Sequence, residues 1–182
     1  DAWPDPDAVF TGGSGGGLLT AWIVGKTDRF KAAASQKPVI DWASFVLTAD
    51  NPAFFARYWF GEYPWENPEA YWRRSPLSLV GNVKTPTLVV VGDEDYRTPV
   101  SESEQYYSAL QLRGVPTALV KIPGVGHSLK QIVIYGCTYG AEQGGILNGL
   151  HAGHGLFHAL NHQTPTAVYL VLKALYLARG GI

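Results

Sequence analysis

The chain holds a single cysteine, Cys137. One thiol excludes an internal disulfide framework, and Cys137 reads as a small buried side chain. Charge is also scarce: 16% of the 182 residues are charged, and 14 Lys and Arg nearly balance 15 Asp and Glu. With a net charge of −1 and no basic run, nucleic acid is not an expected partner. No uninterrupted apolar stretch reaches the order of 18 residues, so neither a spanning helix nor a membrane partner is expected. No signal-peptide pattern is visible. The chain reads as starting inside a domain, so that absence leaves cytoplasmic, periplasmic and secreted locations open. Internal repeats and low-complexity linkers are missing too. What is present is 46% hydrophobic, enough for a sizeable core in one domain and too much for disorder.

The most informative feature is the run Gly12-Gly13-Ser14-Gly15-Gly16. It follows a short apolar segment read as a strand over 8–11 and precedes a helix read over 16–27. A serine hydroxyl is a poor nucleophile until geometry and a base activate it. A sharp strand-to-helix turn lifts the oxygen clear of a sheet and aims the next backbone N–H, that of Gly15, at the same point as an oxyanion donor. The flanking glycines are expected because side chains would collide where helix and strand nearly touch. No Gly-Lys-Ser/Thr follows, which argues against a phosphate-binding loop.

Two further apolar runs read as buried parallel strands, over 87–91 and 117–122. The first leads into Gly92-Asp93-Glu94-Asp95, the second into Pro123-Gly124-Val125-Gly126-His127. Ser, Asp and His thus each follow a strand, in the chain order used by α/β-hydrolases. Reactive groups in open α/β sheets gather beyond the carboxyl ends of the strands. His127 is the candidate base. Asp95, further past the strand end, and Asp93 are both candidate acids; the common use of an Asp beside glycine, as at Asp93, is as a turn residue.

These residues sit in stretches that resemble the prolyl oligopeptidase family of serine peptidases, in particular acylaminoacyl peptidases and dipeptidyl aminopeptidases. The matching segments are Thr11 to Gly17, Tyr71-Trp72-Arg73-Arg74-Ser75-Pro76-Leu77, Lys84 to Gly92, Asp95-Tyr96-Arg97-Thr98-Pro99-Val100 and Gly126-His127. The resemblance covers about 5–128. It implies an α/β-hydrolase fold, a three-layer sandwich around a mostly parallel sheet. It implies Ser14 as nucleophile, Asp95 as orienting acid and His127 as base, with Arg97 reaching a substrate carbonyl or fixing the Asp95 loop by a salt bridge. It implies a peptide or small ester substrate and no cofactor or metal.

The chain departs from that pattern in two places. The family's strands upstream of the nucleophile, which carry a second oxyanion donor, are not seen here. The expectation is a single partial catalytic domain over 1–182 with an open strand edge that a second copy or a partner chain would cover. The segment 129–164 is atypical. A strand is read over 132–135. It is followed by Gly136-Cys137-Thr138-Tyr139-Gly140, a faint echo of the serine motif taken as a turn. His151, His154, His158 and His162 would share one face if that region were helical, so a metal-binding helix is one alternative. Glycines 149, 153 and 155 oppose it. A closing helix is read over 166–179.

Elsewhere, a short strand is read at Pro38-Val39-Ile40 and a helix over 101–113 opened by a capping box and stopped by Gly114. Between 42 and 72 lies an aromatic-rich excursion broken by Pro52, Pro64 and Pro68. Its Trp42, Phe45, Phe54, Phe55, Tyr58, Trp59, Phe60, Tyr63 and Trp65 read as core first and as pocket lining second. The functional expectation is a serine hydrolase acting on peptides or esters through an acyl-enzyme. The rival is a catalytically silent scaffold that associates with a partner chain.

Overall fold

The computed structural model describes residues 9–128, 134–137 and 156–159. Four parallel strands form its sheet in the order β1-β2-β3-β4: β1 Val9–Gly13, β2 Ala32–Gln36, β3 Thr87–Gly92 and β4 Thr117–Ile122. β3 is buried at all six positions, as its unbroken Val/Leu run predicts. Among the described residues β1 is an edge strand. A separate antiparallel pair, β5 Ile134–Cys137 and β6 Leu156–Ala159, brings β5 close to β1 without joining its sheet.

The helices α1 (Gly15–Val24) and α5 (Val100–Leu112) lie on one face of the sheet. Ala21 and Val24 of α1, Tyr106 and Leu110 of α5, and Ala33 and Val89 of the strands form one apolar cluster. The third layer and the helix read over 166–179 lie outside the described residues. So do Thr138 to Gly140 and three of the clustered histidines. His158 falls in β6, where the chain is extended, so the single helical face does not run through that residue.

The strand expected at Pro38-Val39-Ile40 is instead β2, six residues earlier in its start. Its sequence, Ala-Ala-Ala-Ser-Gln, has weak strand preference, but all five residues are buried between β1 and β3. Small side chains are what the place demands. A Cβ on Gly17 of α1 would stand 2.3 Å from the Gln36 carbonyl oxygen, so helix and strand touch here backbone to backbone. Pro38, which has no N–H to give a ladder, lies two residues beyond the strand's last residue, Gln36.

The excursion between β2 and β3 is built from α2 (Trp42–Thr48), α3 (Pro52–Phe55), a π-turn at Ala56–Phe60, α4 (Pro68–Arg74) and a 3₁₀ stretch, Pro76–Asn82. Pro52 and Pro68 do not break this arm; each opens a helix at its first position, where a missing N–H costs nothing. Trp42, Phe45, Phe55 and Tyr71 are buried in a second cluster of the arm's own. Phe54, Tyr58, Trp59, Tyr63 and Trp65 remain exposed, so the aromatic set divides between core and surface.

The capping box expected at the start of α5 does not form: the helix opens after Pro99 without a side-chain cap. Glu102 turns inward and is fully buried. It accepts the N–H groups of Ile40 at 2.8 Å and Asp41 at 2.9 Å, and the Ser44 hydroxyl. Burial pushes its carboxyl above the usual range, against the pull of those donors. At the other end Gly114, with φ +68°, ends the helix as its sequence position suggests. Glu102→Ala strands the buried Ile40 N–H and the half-buried Asp41 N–H. It is expected to lower stability by roughly 2–4 kcal/mol, with Glu102→Gln milder, in urea unfolding followed by circular dichroism.

Candidate active site

Each strand of the parallel sheet ends in a residue that matters: Ser14 after β1, Lys37 after β2, Asp95 after β3 and His127 after β4. The parallel register brings these ends to one rim. Ser14 has φ +58° and ψ −120°, a conformation that costs a non-glycine residue about 1–3 kcal/mol. Two contacts enforce it. The Ser14 N–H donates to the Gln36 carbonyl at 3.0 Å, and a Cβ on Gly12 would come within 2.4 Å of the Gly16 oxygen. By contrast, Gly15 and Gly16 face open space, so the collision argument holds for Gly12 and Gly17 and not for them.

The Ser14 hydroxyl lies 2.9 Å from His127 Nε2. On the far side of the imidazole, Nδ1 is 2.9 Å from Asp95 Oδ2 and 3.1 Å from Oδ1. The Asp95 side chain is fully buried, while that of His127 is 27% exposed. Asp95 Oδ1 also accepts the N–H groups of Arg97 at 3.0 Å and Thr98 at 2.8 Å, and Oδ2 accepts the Thr98 hydroxyl at 2.9 Å. Gly15 opens α1, where first-turn N–H groups have no partner within the helix.

Asp93 is not at the imidazole. Its Oδ1 accepts the Gly124 N–H at 2.7 Å, which stitches the acid loop to the histidine loop. Glu94 N–H adds a bond to the Val125 carbonyl at 3.1 Å. Arg97 Nε meets Asp50 Oδ1 at 2.7 Å, an exposed salt bridge between the acid loop and the segment after α2. No group of three His, Cys, Asp or Glu side chains is gathered among the described residues.

With this geometry in hand, residues 5–135 match the prolyl oligopeptidase family. The chain belongs to that family. It is 42% identical over 121 residues to an uncharacterised peptidase of Bacillus subtilis, a match covering 66% of this chain and 18% of that protein. It is 38% identical over 134 residues to the acylamino-acid-releasing enzyme of Arabidopsis thaliana, covering 69% of this chain and 18% of the relative. Among solved structures it is similar to the acylaminoacyl peptidase of Pyrococcus horikoshii, with 32% identity and a TM-score of 0.65 over 68% of this chain and 20% of that one. A puromycin-hydrolysing peptidase of Mycobacterium tuberculosis gives 31% identity and a TM-score of 0.61, over 68% and 19%. The chain therefore spans about a fifth of the length of these prolyl oligopeptidase family members, and shares their α/β-hydrolase fold.

Two participants had no role in the sequence reading. Thr98 lies within the segment that resembles the family, and its spacing of three from Asp95 is the mark of a side chain folding back on its own loop. Lys37 carries no motif at all; only the fold brings it to the rim.

Burial drives the Asp95 carboxyl upward. The hydrogen bonds from His127 and Thr98, with the charge of His127, together outweigh it and hold the group below its ordinary value of 3.8. A depressed carboxyl contributes stability that is complete above 3.8 and is lost as pH falls through the folded-state value. Thermal unfolding followed from neutral pH into acid should therefore show Asp95→Asn with a shallower loss below pH 4 than the wild type.

Proposed function

We propose that Ser14, His127 and Asp95 form a catalytic triad that hydrolyses peptide bonds by acyl transfer to water. The observation that carries the reading is the continuous chain of 2.9 Å contacts from the Ser14 hydroxyl through both imidazole nitrogens to Asp95. In this reaction Ser14 Oγ forms a bond to the substrate carbonyl carbon as its proton passes to His127 Nε2. The carbonyl electron pair moves onto oxygen, where the Gly15 N–H stabilises the developing charge. Collapse breaks the C–N bond, and Nε2 gives its proton to the departing amine. Water then repeats the sequence on the acyl-enzyme and frees Ser14. Asp95 keeps the Nδ1 proton facing inward, so that Nε2 is the basic nitrogen, and stabilises the imidazolium.

Arg97 is assigned to holding the acid loop through Asp50. Several relatives carry the name acylamino-acid-releasing enzyme, so N-acylated peptides are the substrate class of first choice. Amide over ester is likewise favoured by the company the chain keeps. No cofactor enters this chemistry.

The test is labelling by a fluorophosphonate probe, together with turnover of an N-acyl aminoacyl p-nitroanilide. Ser14→Ala is expected to abolish labelling, and Asp95→Asn to lower turnover by roughly 10³–10⁴ through the wrong imidazole tautomer. A folded wild type whose Ser14 does not label refutes the triad and leaves the silent scaffold.

A further inference from the structure

Lys37 is the first residue beyond β2, and its φ is +39°. A glycine takes that conformation freely, whereas a lysine does so at a steric cost. The backbone is held there by its N–H, which donates to the Val90 carbonyl at 2.6 Å. The arm then runs along the bare side of the elbow: a Cβ on Gly13 would stand 3.3 Å from Lys37 Cε. At its end, Nζ donates to the main-chain oxygen of His127 at 2.5 Å. The residue before it, Gln36, accepts the Ser14 N–H at 3.0 Å. Two consecutive residues thus grip the backbones of the nucleophile and of the base.

The loop that ends in His127 needs such a grip. It contains Gly124, with φ +70°, and Gly126, whose Cβ position meets nothing closer than the Glu94 oxygen at 3.5 Å. Glycines leave the chain many conformations to lose. Asp93 and Glu94 secure the loop at Gly124 and Val125, and Lys37 secures the His127 carbonyl itself. Burial lowers the Lys37 ammonium below its ordinary value, while the Asp95 charge acts to raise it.

We propose that Lys37 is a positioning residue, whose ammonium fixes the His127 main chain and so sets the reach of Nε2 to the Ser14 hydroxyl. The proposal rests on the triad reading above. Misplacement by about an ångström can cost on the order of a hundredfold in rate. Lys37→Met keeps the apolar arm and loses the donor. Lys37→Arg keeps a cationic donor. Lys37→Gly relieves the backbone and loses the grip.

The experiment is saturation kinetics of fluorophosphonate labelling, with the downfield Nδ1 proton resonance of His127, assigned through His127→Gln, as a second readout. The expected result is a fall in the limiting inactivation rate of roughly ten- to a hundredfold in Lys37→Met and Lys37→Gly, with probe affinity unchanged. Lys37→Arg should recover most of the rate, and Lys37→Gly should melt no lower than the wild type. Wild-type rates in Lys37→Met and Lys37→Gly overturn the proposal. If wild-type Ser14 does not label at all, the triad reading fails, and the resonance judges the grip on its own. Loss of the resonance in Lys37→Met with retention in Lys37→Arg supports it, and retention in both overturns it.

Discussion

Everything at the rim depends on how closely α1 approaches β1 and β2. The helix can start immediately after the strand because Gly12 presents no side chain to the Gly16 carbonyl. It can lie on β2 because Gly17 presents none to Gln36. With those two contacts in place, Ser14 is forced into a conformation that no helix or strand provides, and its N–H reaches Gln36. The strain is local and the restraint is distributed, which is how a strained residue persists in a folded protein. Ser35 contributes to the same joint, its hydroxyl donating to the Gly17 carbonyl at 2.8 Å.

The loops beyond β3 and β4 are organised differently, by polar side chains rather than by missing ones. Asp95 is buried with a donor for each oxygen, and Asp93 and Glu94 tie the neighbouring loop to it. A buried carboxylate without such donors would be costly. Here the donors come from its own loop and from the imidazole, so ordering the loop and satisfying the carboxylate are one event. Glu102, in the first turn of α5, is satisfied differently, by donors distant in sequence: the N–H groups of Ile40 and Asp41 on the chain beyond β2.

Much of this was legible in the residues. Strong apolar runs marked β3 and β4, and the serine motif marked β1 and α1. Ser14, Asp95 and His127 could be named because each follows a strand and because the surrounding stretches resemble a family. β2 was misplaced because burial, not preference, makes Ala32–Gln36 a strand, and alanine carries no strand signal. The inward turn of Glu102 was hidden for a related reason. The capping box read on Ser101 to Glu104 gave Glu102 no role, and its partner, the backbone of Ile40 and Asp41, lies 62 and 61 residues away. Lys37 was invisible because its significance lies in a contact 90 residues away.

The aromatic arm meets the acid loop at Asp50, whose N–H donates to the Tyr96 carbonyl at 2.8 Å and whose carboxylate holds Arg97. Both partners of that ion pair are more than a third exposed, and such pairs contribute only about 0–1 kcal/mol. The joint is therefore compliant, while Asp95 just behind it is clamped by Thr98 and His127. The arm and the buried carboxylate are thus held by bonds of different strength, an exposed ion pair on one side and buried hydrogen bonds on the other.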